Sequence, residues 1–136
     1  MKLLTLLLFA VIAIPTFSQD SEQYRTCTDK AHTQMELNSC ASKESARVDA
    51  ELNAAYQELL SKAEDEQGAV GKIKTCEKAW LVYRDSYIDA MYPAADKQTE
   101  YGTEYPAKVD LLRAKFTQQQ ITAVRELLQQ YGPASR

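Results

Sequence analysis

Three cysteines and a single histidine are the side chains best suited to covalent or metal chemistry in this chain of 136 residues. Cys27 and Cys40 bracket His32, and Cys76 stands apart. A redox dithiol favours a closer pair, such as C-x-x-C at a helix N-terminus. A zinc site favours tighter, paired ligand spacing, and an oxidising compartment draws thiolates into disulfides. The spacing therefore predicts a structural staple between Cys27 and Cys40, a plain surface His32, no metal and no cofactor. Closing so short a loop is worth roughly 3 kcal/mol in the chain-entropy model. Spacing alone leaves the rival pairings open, and an odd count leaves one thiol over. With Cys27 and Cys40 joined, the leftover is Cys76, expected as a small buried hydrophobe, with a mixed disulfide or a dimer link as the alternative.

Other catalytic signatures are missing from the sequence. Nucleophilic catalysis needs a Ser or Cys with an orienting base, and one histidine beside a disulfide is a poor start. The chain has no G-x-S-x-G, no glycine-rich phosphate loop and no metal-binding pair of histidines. Its many carboxylates fall on helical patterns that predict solvated faces or ion pairs rather than a flanked cleft. The chain is thus read as non-enzymatic. A formal charge of −3 with interspersed signs gives no footprint for nucleic acid or for an anionic membrane.

A second group is suited to recognition rather than reaction: Asp49, Asn53, Tyr56, Trp80, Tyr83 and Arg84. Its residue types fit either a buried polar network that fixes helix register or a partner-binding patch. A third group, Tyr92, Tyr101, Glu104 and Tyr105, fits an acidic, aromatic binding loop, or else tyrosines packed on the body.

Helices must position all of these. Thr33-Gln-Met-Glu36 is a capping box: the Thr33 hydroxyl accepts from the Glu36 amide while the Glu36 carboxylate reaches back. Apolar or small residues then recur with a helical period through Leu37, Cys40, Val48, Leu52, Tyr56 and Leu59. The pattern predicts a helix over 34–63, preceded by a shorter helical turn over 21–31. The polar stretch 65–71, with two glycines, predicts a hairpin turn. A second long helix over 70–91 has an inward face of Ile73, Cys76, Trp80, Tyr83 or Arg84, Tyr87 and Met91, and Pro93 ends it. Residues 92–106 form an ordered loop. A third helix begins near Ala107, buries Val109, Leu112, Phe116, Ala123 and Leu127, and stops at Gly132-Pro133. A short turn makes sequential helices antiparallel. The resulting register sets Trp80 opposite Asn53, Arg84 opposite Asp49 and Cys76 near Tyr56. The predicted fold is all-α: an antiparallel helical hairpin plus a third long helix in a small bundle, with one disulfide.

The first 18 residues stand outside that fold. Lys2 precedes an apolar run, Leu3 to Ile14, followed by Pro15 and the small-residue end Thr16-Phe17-Ser18. This is the pattern of a signal peptide cleaved after Ser18. The run is shorter than the ~20 residues a membrane span needs, so no stable membrane insertion is expected after cleavage. The expectation is then one domain over 19–136.

Joined together, these elements resemble the lysozyme inhibitor LprI-like N-terminal domain, a family of small exported bacterial proteins. The resemblance rests on Cys27, on Thr33-Gln34-Met35-Glu36-Leu37-Asn38-Ser39-Cys40, on Asp49 with Leu52-Asn53 and Tyr56, and on Ala79-Trp80 with Tyr83-Arg84-Asp85. It covers roughly residues 27–128. Many members place further cysteines after the Arg-Asp element and before the last helix, where this chain has Ile88 and Leu111 or their neighbours, so a second family disulfide is absent. Cys76 sits where the family usually has none.

The resemblance implies a helical fold, export to the periplasm or beyond, and a protein partner, with lysozyme as the family-implied instance. Inhibition would work by occlusion, an acidic or aromatic surface covering a basic cleft. The alternative is a structural or stress-related envelope protein with some other partner.

Overall fold

The computed structural model describes residues 20–131. The signal-like segment 1–18 and the Gly132-Pro133 stop lie outside them. Five helices follow in order: α1 (Glu22–Asp29), α2 (Gln34–Lys62), α3 (Ala69–Met91), α4 (Lys97–Tyr101) and α5 (Tyr105–Gln130). No strand occurs among the described residues. The all-α expectation therefore holds, with three long helices and one disulfide, Cys27–Cys40, whose Cα atoms are 5.7 Å apart.

Local chemistry explains where each helix starts. The Thr33 hydroxyl accepts from the Glu36 N–H at 3.2 Å, and the Glu36 carboxylate accepts from the Thr33 and His32 N–H groups at 2.9 and 2.7 Å. Those bonds satisfy donors that the first helical turn leaves open. Ser21 caps α1 by accepting from the Tyr24 N–H and Asp96 caps α4 by accepting from the Thr99 N–H, each without the returning carboxylate. Gly68, at φ 77°, makes the turn into α3, a left-handed conformation that glycine enters without steric penalty. Pro106 lies in the first turn of α5, where its missing N–H has no partner to lose.

The packing departs from the expected emphasis. The closest seam joins α2 to α5, with α1 against α2 and lighter contact of α3 on α5. α2 and α3, the predicted hairpin pair, are not among the closely packed helices. The cross-links Asn38–Thr103, Asp49–Thr117 and Glu51–Arg125 keep nearly the same sequence separation, so α2 and α5 run parallel. Leu59, Ile121, Val124 and Thr117 are fully buried along this seam, with Val48 and Leu52 beside them.

The inward stripes shift accordingly. On α5 the fully enclosed face is Ala114, Thr117, Ile121 and Val124, while Ala123 and Leu127 are exposed and Val109, Leu112 and Phe116 only half-buried. At 100° per residue the predicted stripe lies about a third of a turn away. It is the side that meets α3, through Phe116, rather than α2. On α3, Ile73 and Ile88 are buried, but Cys76, Tyr83, Tyr87 and Met91 are exposed. Because α3 leans on the body lightly, only a narrow strip of it is covered. The loop expected over 92–106 contains α4 and the first turn of α5.

Candidate functional site

The splay of α2 from α3 leaves an open groove of about 670 Å³, lined by residues of both helices. Arg84 closes one end. Its side chain is only 12% exposed, and its Nη1 lies 3.9 Å from Asp49 Oδ1. Its Nε donates to Asp85 Oδ1 at 2.9 Å, and its guanidinium carbon is 5.0 Å from the Trp80 ring centroid. The cation is thus held by a carboxylate on each side and by the negative face of the indole. Asp49 Oδ1 also accepts from the buried Thr117 hydroxyl at 3.1 Å. One carboxylate therefore ties α2 to α3 and to α5.

The structure brings five of the six predicted groove residues together and separates the sixth. Asp49, Asn53, Tyr56, Trp80 and Arg84 all line the groove. Asn53 is exposed there, and among the described residues it makes no hydrogen bond to Trp80. Tyr56 packs on the core below. Burial, and then the charge of Glu77, push its hydroxyl above the usual tyrosine range, so it stays protonated. Tyr83, in contrast, is 56% exposed and sits on the α5 side, 5.9 Å from the Phe116 ring and 6.2 Å from Tyr87. The expected place for Tyr83 between the first two helices is corrected. Adjacent helical residues point about 100° apart, so Tyr83 and Arg84 cannot both face α2.

Around the tyrosine loop, the rings turn toward one another. Tyr92 lies 5.1 Å from Tyr101 and 5.3 Å from Tyr105, and Tyr101 stacks on Tyr105 at 5.6 Å. All three are half-buried. The Tyr101 hydroxyl accepts from the Ala94 N–H at 3.0 Å, and the Lys97 ammonium donates to the Tyr92 carbonyl. Glu104 stands exposed before α5, paired with Lys108, whose pKa it raises.

A third assembly locks the N-terminal end. Gln34 Nε2 donates to Asn38 Oδ1 at 2.9 Å, and Asn38 Nδ2 donates to the Thr103 carbonyl at 2.9 Å. Sequence reasoning missed both amides, although they stand within the Thr33–Cys40 motif at the four-residue spacing of facing side chains. It also missed Thr117, whose signal is a lone hydroxyl on an apolar stripe. Ser21 donates to Glu44 at 2.6 Å, and Glu44 pairs with Arg47 at 2.7 Å, securing α1. That Arg47 hydrogen bond holds the Glu44 carboxyl below the usual range.

Among the described residues no cluster of three or more His, Cys, Asp or Glu is arranged to hold a metal. His32 is exposed, and its backbone N–H serves Glu36. The groove is lined by aromatic, amide and charged side chains. A family model described as Lysozyme inhibitor LprI matches residues 27–124.

The chain belongs to the LprI lysozyme inhibitor family. The match runs from the first disulfide cysteine to Val124 at the α2–α5 seam, so the stapled end, the groove and the tyrosine loop all lie within the LprI region. An uncharacterized protein of Rhizobium meliloti (strain 1021) is 29% identical over 111 residues, covering 74% of this chain and 77% of that protein. No solved structure matches. Membership of the LprI family brings a lysozyme inhibitor-like, protein-binding character, and no described helix is long and apolar enough to cross a membrane.

Proposed function

We propose that this chain is an exported, non-enzymatic module of the bacterial envelope that inhibits a lysozyme by occlusion, with the α2–α3 groove as its main contact surface. The observation that supports this reading is the concentration of Trp80, Arg84 and Tyr56 along an open groove in a member of an inhibitor family. Trp, Tyr and Arg are the side chains that most often dominate binding energy at protein interfaces. Arg84 and Trp80 are already held in place by Asp49 and by each other, so little conformational freedom is lost when a partner docks.

The groove carries both signs, Asp49 and Glu77 beside Lys74, Lys78 and Arg84, and in this reading its two carboxylates meet the basic enzyme surface. The tyrosine loop supplies a lesser contact, since Tyr92, Tyr101 and Tyr105 spend much of their surface on one another. Export is supported by the signal-like pattern of residues 1–18 and by the disulfide, which persists in oxidising compartments. The remaining chain, 19–136, acts as one domain in this reading.

A lysozyme turbidity assay with purified mature protein tests the proposal. Slowed clearing of cell-wall suspension is expected, with Trp80→Ala losing at least about tenfold in inhibitory strength. Unchanged lysis at micromolar excess would remove the inhibitor reading and leave the structural envelope role.

A further inference from the structure

The face of α3 turned away from Ile73 carries charges in an unusual order. Lys74, Lys78, Leu81, Asp85 and Asp89 follow one another at intervals of four, three, four and four residues, which keeps them on one helical stripe. Val82 stands beside Leu81. All six are exposed, Val82 by 67% and Leu81 by 39%. The lysines precede the apolar pair and the aspartates follow it.

This order works against the helix that bears it. Asp89 sits in the last turn of α3, beside the negative end of the helix dipole, where a cation would be favoured. Among the described residues neither Lys74, Lys78 nor Asp89 has an ion-pair partner, and Asp85 has only the neighbouring Arg84. The same order is complementary to itself when reversed.

We propose that this stripe is a self-association surface on which two copies of the chain pair α3 against α3, antiparallel, about a twofold axis between Leu81 and Val82. Lys78 of each copy then faces Asp85 of the other, Lys74 faces Asp89, and Leu81 packs on Val82. Each pair occurs twice, as an isologous interface requires. A parallel pairing would set lysine on lysine and aspartate on aspartate, so the charges also select the direction. Lys74, Lys78 and Leu81 form the outer lip of the groove, and the second copy's helix lies along that lip. One helix stripe is small beside the roughly 1,600 Å² of a standard stable interface. The dimer is therefore weak and, being held by exposed charges, sensitive to salt.

The inference does not depend on lysozyme binding. Sedimentation velocity on mature protein carrying Cys76→Ser, which excludes a link through that thiol, provides the test. Monomer–dimer exchange is expected between micromolar and millimolar protein at low salt, weakened about tenfold in molar salt. Val82→Glu, at an exposed site, abolishes it. Lys74→Glu and Asp89→Lys each weaken it about tenfold by setting like charges together. The double variant, which rebuilds the pairs in opposite sense, returns to near the starting affinity. Helical circular dichroism confirms that each variant is folded. A chain that stays monomeric throughout, or a dimer indifferent to the single reversals, or a double variant no better than the singles, overturns the proposal.

Discussion

Asp49 and Arg84 meet across a gap that their helices leave open. The Nη1–Oδ1 distance is 3.9 Å, yet α2 and α3 are not closely packed along their lengths. The long Arg84 side chain, laid on Trp80, spans what the backbones do not. Register between these helices is therefore set by a side-chain clasp rather than by interdigitated apolar ridges.

Removing the clasp should loosen α3. Arg84→Ala is expected to destabilise the fold by about 1–3 kcal/mol, since the packing on Trp80 is lost together with the ion pair. The Asp49 contribution is discounted because its side chain is 40% exposed. Arg84→Lys should recover little, because an ammonium cannot reproduce the planar stacking and the fork of donors. Thermal melts by circular dichroism check both. An unchanged melting temperature with lost partner binding would make Arg84 a contact residue and not a clasp.

Reduction of the Cys27–Cys40 bond, or the double change Cys27→Ser with Cys40→Ser, should lower stability by roughly 3 kcal/mol. The bond joins α1 to α2 across a sequence separation of 13. Denaturant titration with and without reductant measures the difference. Cys76→Ser, at an exposed site, should change it by less than about 0.5 kcal/mol.

Acid should loosen the N-terminal end. Backbone and side-chain donors from His32 and Thr33 lower the Glu36 pKa, and the Arg47 hydrogen bond lowers that of Glu44, each from an ordinary value of 4.5. A carboxylate whose folded pKa is depressed favours the folded state above its unfolded value and loses that contribution as pH falls through the folded one. Melting temperature should thus decline as pH falls below about 4.5, and Glu36→Gln and Glu44→Gln should each flatten the decline. A slope identical to that of the parent protein would argue against these bonds.

The rotated stripe on α5 gives a paired test. Ile121→Ala removes a fully buried side chain at the α2 seam and should destabilise by about 2–5 kcal/mol. Leu127→Ala, on the exposed flank of the same helix, should change stability by less than about 1 kcal/mol. A larger loss at Leu127 than at Ile121 in chemical denaturation would mean that the sequence-drawn stripe, and not the seam with α2, is the buried one.

How much of this was legible in the residues follows from the range of the forces involved. The capping box at Thr33–Glu36, the glycine turn before α3 and the period of α2 all act over a few residues, and each is written in the local sequence; Cys27–Cys40 was the shortest of the pairings that spacing left open. The meeting of Asp49 with Arg84 also followed from a local turn, since a hairpin's register is counted out from its bend. The partner of each apolar face did not follow. Leu59 and Ile121 are buried because α5 runs parallel beside α2, and Thr117 reaches Asp49 from 68 positions away. Helical periodicity says that a face is apolar, but not which neighbour covers it. Only the crossing of helices in space decided that Ile121 is inside, that Leu127 and Cys76 are outside, and that a groove remains between α2 and α3. Burial is a property of pairs of distant segments, whereas a helix and its caps are properties of one.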